Sequence, residues 1–125
     1  MSYGQQYYAE LKKLQSEVSE AFTRLNTLQS ALDKEVSRIY HDIEKLETMD
    51  AEQSYIIMRD LKETLLHRRV VKDEVKRLQP IYNMLRSQTG QVDEQFARAM
   101  KTSFEIRRQL NTTASIDDVL ASMGV

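Results

Sequence analysis

The sequence predicts an all-α, oligomeric protein: a long antiparallel helical hairpin of coiled-coil character, then a third helix and a short C-terminal helix. Three observations predict it. Leu11, Val18, Leu25, Leu32, Ile39 and Leu46 recur every seven residues, the period that keeps one seam of an α-helix facing a partner helix. Three Gly and one Pro in 125 residues leave few places for a helix to break. A hairpin of this kind buries little of its own surface, so the chain is expected to complete its core by associating with copies of itself.

The chain, 1–125, suits a single helical domain. The first helix is expected over about 5–47, and roughly 43 residues would span about 65 Å. Its heptad companions are Leu14, Ala21 and Leu28. The stripe then moves over to Val36 and Ile43, with Glu35 and Asp42 where a strict repeat would be apolar, the drift of a helix relaxing from 3.5 towards 3.6 residues per turn. Thr48-Met49-Asp50 interrupts the pattern, and Asp50 with Gln53 reads as a capping box opening a second helix over 51–79. So short a joint makes the two helices an antiparallel hairpin.

Ile57, Leu61, Val71, Val75, Leu78, Tyr82 and Leu85 repeat the period through the second helix. Pro80 lies inside this run; it lacks a donor and clashes with the Lys76 carbonyl. A kink or a fresh helix, 80–89, is expected there. Gly90 ends that segment, and Asp93 and Glu94 favour the first turn of a helix over 92–110 whose face is Val92, Phe96, Met100, Phe104 and Leu110. Asn111-Thr112-Thr113 reads as a loop. Ser115 and Asp118 form another capping-box pattern, opening a helix over 116–123 with Ile116, Val119, Leu120 and Met123. Two turns are not stable alone in water, so this tail is expected to dock on something.

Composition excludes several functions. With 41% hydrophobic and 30% charged residues the chain is ordinary for a soluble protein. It has no Cys, which rules out disulfides and thiolate metal ligands and fits a reducing compartment, so a cytoplasmic location is expected. The start, Met1-Ser2-Tyr3-Gly4-Gln5, lacks the basic and apolar regions of a signal peptide. No apolar stretch approaches the roughly 18 residues that cross a bilayer. Net charge is −1, divided as −3 over residues 1–50 and +2 over 51–125. That weak asymmetry argues against general nucleic-acid binding and leaves room for a local anion site.

Arg59, Lys62, His67, Arg68, Arg69, Lys72, Lys76 and Arg77 form a basic knot. Lys62, Arg69 and Lys76 are seven apart and share a face, which Lys72 joins one turn away. Stacked ammonium and guanidinium groups at helical spacing suit a phosphate-sized anion, and Arg grips one bidentately. The candidate anion or nucleotide site is therefore His67, Arg68, Arg69, Lys72 and Lys76. The competing reading is a solvated face held by local pairs, since Asp73 follows Arg69 by four and Glu63 precedes His67 by four. Arg68 is unusual in falling within the apolar stripe, seven residues after Leu61 and seven before Val75. A charge there specifies register or meets a ligand, or else snorkels out of a stripe carried by Leu65 and Val71.

Other chemistry is sparse. His41 and His67 are the two histidines, and neither has a second ligand at metal-binding spacing. There is no Gly-rich phosphate loop, nucleophile elbow or paired-carboxylate motif. Neither an enzyme nor a cofactor is expected. Tyr3, Tyr7 and Tyr8 either stack on a base or aromatic partner, or Tyr7 and Tyr8 extend the stripe that begins at Leu11.

The stretch Leu66-His67-Arg68-Arg69-Val70-Val71-Lys72-Asp73-Glu74 resembles small helical proteins encoded by tailed phages of Gram-positive bacteria, which carry a similar Arg-Arg-x-x-Lys-Asp-Glu run on a helix. The likeness spans residues 32–79. Small phage proteins of this kind act against the host, and some are oligomeric sponges that sequester cyclic-nucleotide signals of antiviral defence without cleaving them. The resemblance thus implies action in the host cytoplasm and an intersubunit basic pocket, for which Arg68, Arg69, Lys72 and Lys76 are available. Three classes of function remain: a non-catalytic oligomer binding a phosphate-bearing small molecule, a helical protein–protein adaptor or inhibitor, and a structural coiled coil.

Overall fold

In the computed structural model, residues 2–124 are described; residues 1 and 125, the two ends of the expected 1–125 domain, lie outside them. Among the described residues the regular structure is helical throughout: α1 (Tyr3–Lys45, 43 residues), α2 (Ala51–Leu110, 60 residues) and α3 (Ile116–Ser122, 7 residues). The chain groups into two compact units, one of residues 1–17 with 83–125 and one of residues 18–82.

α1 stops two residues short of expectation. Leu46 N–H donates to the Ile43 carbonyl in a turn, so Leu46, the sixth member of the heptad series, lies beyond the helix and is exposed. The other five are covered: Val18 and Ile39 are buried, and Leu11, Leu25 and Leu32 are half-buried. The line accompanying them is not Leu14, Ala21 and Leu28. It is Tyr8, Gln15, Phe22, Gln29, Val36 and Ile43, all half-buried, whereas Leu14 and Leu28 are exposed. Aromatic pairing accounts for that choice. Tyr8 stacks on Phe96 with centroids 3.9 Å apart, and Phe22 on Tyr82 at 4.0 Å; both contacts draw the aromatic edge of α1 inward.

α2 begins where its cap predicts. Gln53 N–H donates to Asp50 Oδ1 (2.7 Å), and Asp50 N–H donates to Gln53 Oε1 (3.2 Å). The expected breaks at Pro80 and Gly90 do not occur; the segments 51–79, 80–89 and 92–110 are one helix. Two seven-residue lines run through both positions without a change of phase. Ser54, Leu61, Arg68, Val75, Tyr82, Thr89, Phe96 and Ser103 form one, and Ile57, Thr64, Val71, Leu78, Leu85 and Val92 the other, every member at least half-buried. Packing along this stripe outweighs one lost hydrogen bond. Pro80 is exposed, so the unpaired carbonyl it leaves faces water. Gly90 keeps an ordinary backbone, because among the described glycines positive φ is found at Gly124; a helical Gly costs about 1 kcal/mol against Ala and does not by itself end a helix.

α2 ends at Asn111, which takes φ 52°. Thr112 N–H returns to the Arg107 carbonyl (3.1 Å) and Asn111 N–H to that of Arg108 (3.2 Å), a Schellman closure. Ser115 and Asp118 cap α3 reciprocally, as their spacing predicts. That bond holds the Asp118 carboxyl below its ordinary range. Ile116 and Leu120 of this tail are half-buried, and Arg107 Nη1 donates to the Ala114 carbonyl. Val119 and Met123 stay exposed.

Candidate functional site

The candidate cations lie on α2 between Arg59 and Arg77, inside the unit of residues 18–82. Helical spacing separates them into different directions, since consecutive residues turn by about 100°. Lys62, Arg69 and Lys76 keep one exposed line. Lys72 sits between that line and the seam, half-buried. His67 stands about 200° round from Arg69, exposed on the other flank, so the structure does not bring it to the same face.

Arg68 has a partner inside the chain. Its Nε donates to Asp33 Oδ1 of α1 at 2.5 Å, with the Arg68 side chain about one-third exposed and Asp33 about half. The charge in the apolar stripe is thus paired at the rim of the seam. Such a pair contributes no more than about 1 kcal/mol, but it fixes which turn of α1 faces which turn of α2. Of the five residues assigned from sequence, then, Arg69, Lys72 and Lys76 share a side with Lys62, Arg68 is turned to Asp33, and His67 is elsewhere.

An open depression borders the Lys62–Arg69 line. Four cations line it, Arg59, Lys62, Arg68 and Arg69, together with the acid Glu63 and with Tyr55, Met58 and Leu66. Every lining residue belongs to α2, so this is one helix face and not an enclosed cavity. Its chemistry is mixed: an exposed tyrosine and two exposed apolar side chains, Met58 and Leu66, beside four cations and one carboxylate. Arg59 lies 3.5 Å from Asp60 and Arg77 pairs with Asp73 at 3.1 Å. Lys62, Arg69, Lys72 and Lys76 make no ion pair within 4 Å among the described residues. The sequence pattern found these cations; it missed Tyr55 and Met58 as their neighbours, although Tyr55 stands one heptad before Lys62.

A second polar cluster, which the sequence reading missed, belongs to the unit of residues 1–17 and 83–125. Lys12 Nζ contacts both oxygens of Asp93 (3.2 and 3.1 Å), and the Tyr8 hydroxyl donates to Asp93 Oδ1. The Tyr8 bond, then the Lys12 bond and charge, hold the Asp93 carboxyl below its ordinary range, and the same Tyr8–Asp93 bond pushes the Tyr8 phenol up. Nearby, Gln15 Nε2 donates to the Leu85 carbonyl (3.0 Å) and to Thr89 Oγ1. Asp93 therefore serves a helix–helix contact and not, as its sequence position suggested, the first turn of a separate helix. Among the described residues no group of three or more His, Asp or Glu is placed to hold a metal ion, and no helix is long and apolar enough to cross a membrane.

No protein-family model matches the chain, and no curated protein or solved structure matches it.

Proposed function

We propose that the chain is a non-catalytic helical binding protein that works as a homo-oligomer and sequesters a phosphate-bearing nucleotide, of the cyclic-oligonucleotide class, on the basic side of α2. The observation that carries this reading is the line Lys62, Arg69 and Lys76, joined by Lys72, four cations without an acid partner among the described residues and bordered by Tyr55. Unpaired cations at that spacing grip phosphate oxygens, and a neighbouring tyrosine offers a face for a base. The resemblance to small phage proteins that act against host defence agrees with this use.

Two features support an oligomer built on an antiparallel hairpin. Contacts descend on α2 as they ascend on α1 within each unit: Tyr8 with Phe96, Lys12 with Asp93 and Gln15 with Thr89 in one; Phe22 with Tyr82 and Asp33 with Arg68 in the other. Among the described residues four apolar side chains are buried, Val18, Ile39, Val71 and Leu85, a small core for 125 residues. A helical adaptor or inhibitor of another protein is the second reading, favoured by the exposed Phe104, Leu110 and Met123 near the C-terminus.

Calorimetry of the full chain against cyclic and linear nucleotides tests the proposal. Micromolar or tighter binding that weakens with salt is expected, with the ligand recovered intact. Arg69→Ala and Lys76→Ala should each cost roughly 1.5–3 kcal/mol of affinity, because each deletes a charge-assisted bond. No binding tighter than millimolar would leave the basic line a solvated face and transfer the case to the adaptor reading.

A further inference from the structure

Arg68 is bound to α1 through one of its three guanidinium nitrogens. Nε donates to Asp33 Oδ1 (2.5 Å), and Nη1 and Nη2 make no hydrogen bond among the described residues. Arg38 is the contrast. Its Nε and Nη2 lie on Glu35 and its Nη1 on Asp42, so all three nitrogens are committed. The Arg68 bond also crosses from α2 to α1, whereas the pairs of Arg38, Arg77 and Arg98 stay within one helix. Arg68 is the more covered group as well: its side chain is 35% exposed, against 57–75% for the other arginines in ion pairs. It lines the open depression of α2 together with Lys62 and Arg69. Glu63 lines it too, but five residues of helix set Glu63 about 140° round from Arg68. The next acids of α1 after Asp33, Glu35 and Asp42, are held by Arg38.

We infer that Arg68 is the fixed grip of the proposed site and that Asp33 is its positioning residue: Nη1 and Nη2 take two oxygens of one phosphate while Asp33 holds Nε behind them. The guanidinium is a planar fork that matches the paired oxygens of a phosphate. A fork held from the neighbouring helix and partly covered has less freedom to lose on binding than an exposed lysine. Its charge is also worth more, because attraction rises as water is excluded. The Asp33 carboxylate opposes an anion, yet it sits at the Nε end, farther from a phosphate at the Nη edge than the guanidinium itself. Lys62 and Arg69, which have no acid partner among the described residues, supply the net positive charge. The site then draws on both helices of the 18–82 unit and not on α2 alone.

This inference rests on the phosphate-binding part of the proposed function, and the test separates the two. The full chain is titrated with inorganic pyrophosphate while nuclear magnetic resonance follows the arginine Nε–H signals, which report dissociation constants into the millimolar range. Helicity is followed by circular dichroism. Pyrophosphate is expected to move the Arg68 signal. Arg68→Lys keeps the charge and removes the fork, so it should raise the dissociation constant about tenfold with helicity retained. Asp33→Asn and Asp33→Ala remove the same charge, but the first keeps an acceptor for Nε. Asp33→Asn should therefore bind at least as tightly as wild type, and Asp33→Ala roughly fivefold more weakly than Asp33→Asn. Equal affinities of the two Asp33 variants, or an unchanged constant in Arg68→Lys, would overturn the inference. So would a silent pyrophosphate titration beside nucleotide binding. If any of these occurs while Arg69→Ala and Lys76→Ala weaken nucleotide binding, the basic line takes the anion without Arg68 and the proposed function stands. If neither pyrophosphate nor any nucleotide binds the wild type, both fall together.

Discussion

The two units hold α1 against α2 by different means. Between residues 18 and 82 the contact is largely apolar: Val18, Ile39 and Val71 are buried, Phe22 lies on Tyr82, and one ion pair, Arg68–Asp33, closes the rim. In the unit of residues 1–17 and 83–125 the buried apolar residue is Leu85, and the pairing is polar: Lys12 and Tyr8 on Asp93, Gln15 on Thr89 and the Leu85 carbonyl, beside the Tyr8–Phe96 stack. Apolar burial is non-directional and supplies most of the stability. Hydrogen bonds supply less net energy but penalise every misaligned register, since a shift leaves donors and acceptors unpaired. The 18–82 unit thus draws mainly on apolar burial, with Arg68–Asp33 aligning its rim, and the other unit adds several aligning hydrogen bonds.

The largest effect expected from this contrast is at Ile39. Ile39→Asp puts an unpaired carboxylate at a site 5% exposed and should cost about 4 kcal/mol, enough to abolish the cooperative melt of a marginal protein. Gln15→Ala, in the polar unit, should cost about 1 kcal/mol, lowering the midpoint of urea unfolding without loss of helix. Comparable losses would mean that the polar cluster supplies more than alignment.

Smaller changes come from the two helix breakers, one in each unit. Pro80→Ala should stabilise by about 1–3 kcal/mol, because it restores a hydrogen bond within an unbroken helix. Gly90→Ala should add roughly 0.5–1 kcal/mol, since a Cβ there meets nothing within 4 Å. Both are read from urea midpoints at constant slope. A loss at either site would mean that α2 bends there in solution.

In the polar unit the pH dependence comes from Asp93 and Tyr8. Asp93 is held below its ordinary value of 3.8, so its contribution is complete above that value and fades as pH falls through the lowered one. Tyr8 is raised above 10.0, so its contribution is complete below that value and is lost as pH rises through the raised one. The cluster therefore stabilises fully between about pH 4 and 10. Asp93→Asn should flatten the acid limb of the stability profile, measured as melting temperature against pH.

Several features were legible in the chain because they are local. The Asp50–Gln53 and Ser115–Asp118 boxes place two helix starts correctly, since a cap depends on residues three apart. The heptad series found the buried side of α1 for five of its six members. The helix boundaries expected at Pro80 and Gly90 were wrong because local propensity was set against a stripe that keeps its phase for over forty residues. That phase was itself readable from Ser54 to Phe96, but its polar members Thr64, Arg68 and Thr89 hid it.

Helical class, the cap positions and the basic content of the α2 segment follow from the sequence alone, for spacing on a single helix is set by backbone geometry. Tertiary structure decided what lies across from what. It chose Tyr8, Gln15 and Phe22 over Leu14 and Leu28 as companions of the seam and gave Arg68 to Asp33. These outcomes depend on which turn of one helix meets which turn of the other. That register is settled by pairings between residues 35 to 85 positions apart, and no repeat within either helix encodes them.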